Sequence, residues 1–121
     1  MQYESVVEHA SKTADGVMYV VARMSFERRM DLARRVREIA QKAEFLAAGS
    51  GTGDQMEAVL LSSEIDRTYL LWGLRDVRGL TLDGEVATPE SLVSKGPEPL
   101  FREALALVKA EAGLSEDERK N

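Results

Sequence analysis

The side chains that could perform chemistry in this chain are few and poorly grouped. His9 is the only histidine and no cysteine is present, so neither a histidine-based metal cluster nor a thiolate nucleophile is available. Glu64 and Asp66 stand two residues apart in a predicted helix, where positions i and i+2 do not share a face. The sequence therefore predicts a protein that is not an enzyme and that needs no metal or cofactor.

Two further segments have the composition of ligand sites without the required context. The run Gly49-Ser50-Gly51-Thr52-Gly53 is glycine-rich like a phosphate loop, but it lacks the P-loop lysine and does not follow a strand. We interpret it as a flexible connection between two helices. Glu116, Asp117 and Glu118 follow Ser115, a good N-cap, and acids in a first helical turn are explained by the helix dipole.

The most concentrated charge lies near the start of a predicted helix, where ten residues contain a single acid, Asp31, and the arginines Arg28, Arg29, Arg34, Arg35 and Arg37. Spacing of i, i+4 predicts ion pairs between Asp31 and Arg35 and between Arg34 and Glu38. The net charge of −5 argues against nucleic acid as the partner. We interpret the cluster as a solvated face on which Arg34 and Arg35 could attract an acidic partner.

Length and hydropathy limit where such a protein can work. The 121 residues suit one domain with a core of its own. No apolar run approaches 18 residues, as a membrane helix requires, and no signal-peptide pattern stands at the start. We therefore predict a single domain, 1–121, in the cytoplasm and away from membranes.

The first half of the chain is predicted to contain a β element, over residues 1–24, and a long helix, over residues 26–48. Segments 3–9 and 17–24 are rich in β-branched and aromatic residues and are expected to pair as strands; a loose arm over residues 3–10 is the alternative. Ser25 can cap the helix, and its core positions are spaced by three and four: Leu32, Val36, Ile39, Ala43 and Leu46.

The next predicted helix, over residues 54–78, is apolar on two sides. One stripe contains Met56, Val59, Leu60, Ser63, Leu70, Leu71, Leu74 and Val77, and the opposite side contains Leu61, Ile65, Tyr69 and Trp72. The second side could be covered by the same chain or by a partner, and a homo-oligomer is one such alternative. We select Tyr69, Trp72, Ile65 and Leu61 as the predicted partner-binding residues, because aromatic side chains are enriched at interfaces.

Turn and cap signals organise the remainder. Asp83-Gly84 predicts a hairpin over residues 80–87. In the helical segment 89–121, Thr88 is expected to cap a short helix that ends at a left-handed Gly96, and Pro97 or Pro99 to open a second helix closed by Gly113. The predicted fold class is α+β: two long antiparallel helices and C-terminal helices packed with an N-terminal β element and a small β-hairpin.

Four stretches of the sequence together resemble the tail-assembly chaperones of bacteriophages and prophages. They are MSFERRMDLARRVREIAQKAEFL at 24–46, SSEIDRTYLLWGLRDVRGLTLDGE at 62–85, then ATPESLVSKGP and GLSEDERKN. The resemblance implies a non-enzymatic protein that binds the tape-measure protein, assists polymerisation of the tail tube protein and is absent from the finished virion. Two alternatives remain: a structural component of the virion or tail, and a small nucleic-acid-binding or regulatory module.

Overall fold

The computed structural model describes residues 1–49 and 51–113, and the predicted cap at Ser115 and the acids that follow it lie outside these ranges. In chain order the elements are β1 (Val6–Ala10), β2 (Met18–Ala22), α1 (Phe26–Ala47), α2 (Thr52–Gly73), β3 (Leu74–Arg78), β4 (Thr81–Leu82), β5 (Glu85–Val86), α3 (Pro89–Lys95) and α4 (Glu98–Ala112). The predicted α+β class is confirmed. The described residues form two compact units, one made of Met1–Met24 with Leu70–Gly113 and one containing Ser25–Tyr69.

The first unit is built on an antiparallel sheet of three strands with β2 at its centre. His9 of β1 lies opposite Tyr19 of β2, and Tyr19 lies opposite Val77 of β3. Neighbours in register share one face of a sheet, and both Tyr19 and Val77 are almost completely buried. The side of the sheet that carries Tyr19 and Val77 therefore packs against the core. The predicted pairing of two N-terminal strands is confirmed, with a strand and not an arm over Val6–Ala10.

Two helices cover this sheet. α4 packs against β2, and α3 packs against β3 and α4. Thr88 caps α3 through a reciprocal pair of hydrogen bonds with Ser91, and α4 ends at Gly113 with a positive φ of 59°, both as predicted. The buried side chains that α3 and α4 contribute are Leu92, Leu100, Ala104, Leu105, Val108 and Ala112.

The small hairpin of β4 and β5 forms where Asp83-Gly84 predicted it. Asp83 has φ of 52° and Gly84 has φ of 84°, the pair of positive values that a type I′ turn requires. The backbone of Ala87 then hydrogen-bonds Leu80 at 2.9 Å, which closes the hairpin and leads directly to the cap of α3.

The second unit contains α1 and most of α2. Ser25 caps α1 by accepting a hydrogen bond from the backbone N–H of Arg28, as predicted. Leu32 and Val36 are fully buried, and Ala43 is 7% exposed, so the predicted stripe is the inner face of α1. Four residues, 48–51, connect α1 to α2.

The predicted helix over residues 54–78 is too long. α2 ends at Gly73 and β3 begins at Leu74. Leu74 and Val77 are buried whereas Arg75 and Arg78 are exposed, and the backbone pairs with β2. Helical spacing of the apolar residues up to Val77 suggested a continuing helix, but pairing with a central strand overrides a local propensity.

Gly96 also differs from its prediction. Its φ is −75°, so it is not the left-handed cap expected after α3. A Cβ atom at this position would lie 2.7 Å from both Leu92 Cδ1 and the Leu92 carbonyl oxygen. Glycine is therefore required here by the close approach of the Leu92 residue and not by a positive φ.

Candidate protein-binding surface

One face of α2 near its N-terminus is an exposed apolar feature of the second unit. Met56, Val59 and Leu60 lie at i, i+3 and i+4, and between 61% and 65% of each side chain is exposed. Single exposed apolar residues are common, but a group on one helix face marks an interaction surface. We call these three residues the apolar face of α2.

A groove runs beside this face, between the end of α1 and the start of α2. It is lined by Ala43, Ala47 and Ala58, by Val59 of the apolar face of α2, and by Glu44, Gln55 and Ser62. The small alanine side chains let another backbone approach closely, while the polar side chains of the lining can orient it. The groove and the apolar face of α2 are continuous through Val59.

The four predicted partner-binding residues of α2 lie on the opposite side. Leu61, Ile65, Tyr69 and Trp72 follow Ala58 at i+3, i+7, i+11 and i+14, and Ala58 and Tyr69 are 5% and 2% exposed. Leu61, Ile65 and Trp72 are half-buried. The face chosen for its aromatic side chains is therefore the inner face of α2. The opposite stripe, which begins with Met56, Val59 and Leu60, is the exposed one over its first half.

The arginines of α1 are partly arranged as predicted. Arg35 Nε lies 3.1 Å from Asp31 Oδ2, which confirms that ion pair. The pair expected between Arg34 and Glu38 does not form, and Arg34 makes no ion pair with any residue in the ranges 1–49 and 51–113. Both Arg34 and Arg35 are exposed.

Glu103 of α4 is a well-connected polar group of the first unit. It accepts hydrogen bonds from Ser11 Oγ at 2.5 Å, from the Lys12 backbone N–H at 2.8 Å and from Tyr19 Oη at 2.8 Å. Burial acts to raise the pKa of Glu103, but the hydrogen bonds outweigh it and hold this pKa below the usual value. Burial and the neighbouring carboxylate raise the pKa of Tyr19 to about 12.

This arrangement has a structural role. Ser11 Oγ also accepts hydrogen bonds from the backbone N–H groups of Thr13 and Ala14. These bonds stabilise the loop between β1 and β2. The carboxylate therefore fastens that loop to α4. His9 lies on a neighbouring register position, opposite Tyr19, and within the described residues no cluster of histidine, aspartate and glutamate could hold a metal ion.

Comparison of the chain with protein-family models, with curated proteins and with solved structures gave no match. Among the helices that the structure describes, none is long and apolar enough to cross a membrane.

Sequence reasoning missed the exposed apolar residues of α1 as well as those of α2. Phe26, Met30 and Phe45 are 82%, 48% and 80% exposed, and all three lie away from the Leu32–Val36 stripe on a helical wheel. Their position on the helical wheel could have indicated from the sequence that these side chains are exposed. On α2 both faces are apolar, so periodicity alone could not distinguish the inner face from the outer one.

Proposed function

We propose that this protein is a phage tail-assembly chaperone that holds apolar helical segments of the tape-measure protein until the tail tube protein polymerises around it. The family follows from the sequence resemblance. The observation that supports a binding role is the apolar face of α2, with Met56, Val59 and Leu60 each more than three-fifths exposed beside a groove. Such a surface is costly to leave in water unless a partner covers it.

The groove suits a helical segment as the occupant. An amphipathic helix binds a groove through apolar residues on one face, at i, i+3, i+4 and i+7. The small side chains of Ala43, Ala47 and Ala58, which line the groove, leave space for side chains of the bound helix. Val59, which lines the groove, then contributes the apolar contact at one edge.

The test is co-expression of the tagged full chain with the tape-measure protein and the tail tube protein encoded beside it. We expect the wild-type protein to retain the tape-measure protein in soluble form. Leu60→Glu places a charge in the contact, and it should reduce the retained amount roughly tenfold or more, as loss of a central apolar contact does.

The matched control is Val86→Glu, which makes a comparable apolar-to-acid change at another exposed residue, 73% exposed in the small hairpin. It should leave capture unchanged, and circular dichroism should show both variants folded. Equal loss in the two variants would reject the apolar face of α2 as the binding site. Recovery of the protein in purified particles would favour a structural tail component instead.

A further inference from the structure

A second surface lies on α1 and involves different residues. Phe26, Arg29, Met30, Ala33, Arg34 and Arg37 follow one another at i, i+3, i+4, i+7, i+8 and i+11, which places them on one face of the helix. They line two adjoining shallow depressions. This set, the basic face of α1, points away from the buried residues Leu32 and Val36.

The centre of the basic face of α1 is apolar. Met30 and Ala33 lie among the three arginines, and Phe26 stands one turn before Met30 with 82% of its surface exposed. A solvated charged face would place polar side chains at these positions. Apolar groups enclosed by guanidinium groups instead match the surface of a segment that carries both carboxylates and apolar side chains.

One arginine of α1, Arg34, has no ion-pair partner among the described residues. Asp31 pairs with Arg35 at 3.1 Å, whereas Arg34 forms no ion pair within the part of the chain that the structure describes. A guanidinium group can donate two parallel hydrogen bonds to one carboxylate. The N-terminal end of the helix dipole adds further positive potential close to Arg29.

From this combination we propose that the basic face of α1 binds an acidic amphipathic segment of a partner protein, with a carboxylate on Arg34 and apolar side chains on Phe26 and Met30. Nucleic acid fits less well, because Glu27 and Asp31 border the same depression and the whole chain has a net charge of −5. The inference goes beyond the proposed function, since it concerns another helix face and another partner chemistry.

The probe is a synthetic helical peptide of about 18 residues, or five turns, in which glutamate residues and leucine residues each recur at i, i+4. Its binding is measured by fluorescence anisotropy. The full-length protein should bind it, and the affinity should fall as salt is added. Arg34→Glu should raise the Kd for the peptide about tenfold or more, because it replaces an attractive charge pair by a repulsive one. A peptide with glutamine in place of glutamate should bind at least about tenfold more weakly for the same reason.

Arg102→Glu is the matched control. Arg102 is also an exposed helical arginine beside an aromatic ring, 5.4 Å from the centroid of Phe101, and it pairs with Glu98 at i, i+4. The same charge change there should leave the Kd unchanged. Met30→Ser should weaken binding while preserving its salt dependence, because it removes apolar contact without altering charge.

Three outcomes would overturn the proposal. Equal weakening by Arg34→Glu and Arg102→Glu would indicate general attraction of the peptide to positive charge. Equal binding of the glutamine peptide would show that the carboxylates are not recognised. Displacement of the peptide by an oligothymidylate of similar length at equal concentration would indicate a nucleic-acid site. Leu60→Glu should not affect this assay, so its result is independent of the chaperone proposal.

Discussion

Glu103 accepts hydrogen bonds from two side-chain hydroxyl groups and a backbone N–H, and Tyr19 is the buried member of that group. Tyr19→Phe removes one donor from the carboxylate. We expect the free energy of unfolding at pH 7 to fall by about 1 to 3 kcal/mol, since a hydrogen bond to a charged group is lost. Urea titration followed by the fluorescence of Trp72, the only tryptophan, measures this difference. Tyr3→Phe, at a residue 62% exposed, should have no effect.

The same tyrosine predicts how stability changes in alkali. Its pKa is raised from 10.0 to about 12 in the folded protein, so its contribution is complete below pH 10 and is lost as the pH rises towards 12. The shift corresponds to about 2 to 3 kcal/mol. The stability difference between wild type and Tyr19→Phe should therefore shrink across this interval. A difference that stays constant from pH 10 to pH 12 would contradict the assignment.

At the scale of elements, the last residue of α2, Gly73, lies close to Val108 of α4. A Cβ atom at Gly73 would clash with Val108 Cγ1, and Val108 is completely buried with a stiff χ1. Gly73→Ala should therefore destabilise the fold by about 1 to 3 kcal/mol through overpacking, despite the better helix propensity of alanine. Thermal unfolding measured by circular dichroism gives the value.

Gly53 provides the control on the same helix, because nothing lies within 4 Å of a Cβ atom there. Gly53→Ala should be neutral or stabilise by up to about 1 kcal/mol. The double change Gly73→Ala with Val108→Ala should show a favourable coupling, since the smaller side chain removes the clash. Additive losses in the double variant would mean that Val108 is not the obstacle.

The helix caps, the hairpin turn and the end of α2 illustrate what sequence alone could predict. Ser25, Thr88 and Asp83-Gly84 act within a few residues of themselves, and each local signal formed the cap or turn it predicted. Gly73, the last residue of α2, lies close to Val108, thirty-five residues further along the chain, and the strand that follows it pairs with β2. Such contacts are invisible to helical periodicity, which is why Leu74 to Arg78 was assigned to a helix.

The candidate site was harder to predict for a related reason. Tyr69 and Trp72 have the residue types that interfaces favour, but Tyr69 is buried, because the same aromatic character also fills cores. Arg34 and Arg35 were correctly placed on an exposed helix face, since charge alone determines that outcome. Met56, Val59 and Leu60 could be recognised as exposed only when the inner face of α2 was known.

At the scale of the whole molecule, net charge and exposed apolar surface act together on self-association. The charge is −5 at pH 7 and the isoelectric point is about 5.0, so mutual repulsion between copies vanishes near pH 5. The apolar face of α2 should then promote association, which light scattering would record as a maximum near that pH. Leu60→Gln should lower the maximum more than Val86→Gln, because Leu60 has the exposed neighbours Met56 and Val59. Scattering that does not vary with pH, or that responds equally to both substitutions, would exclude this face as the contact between copies.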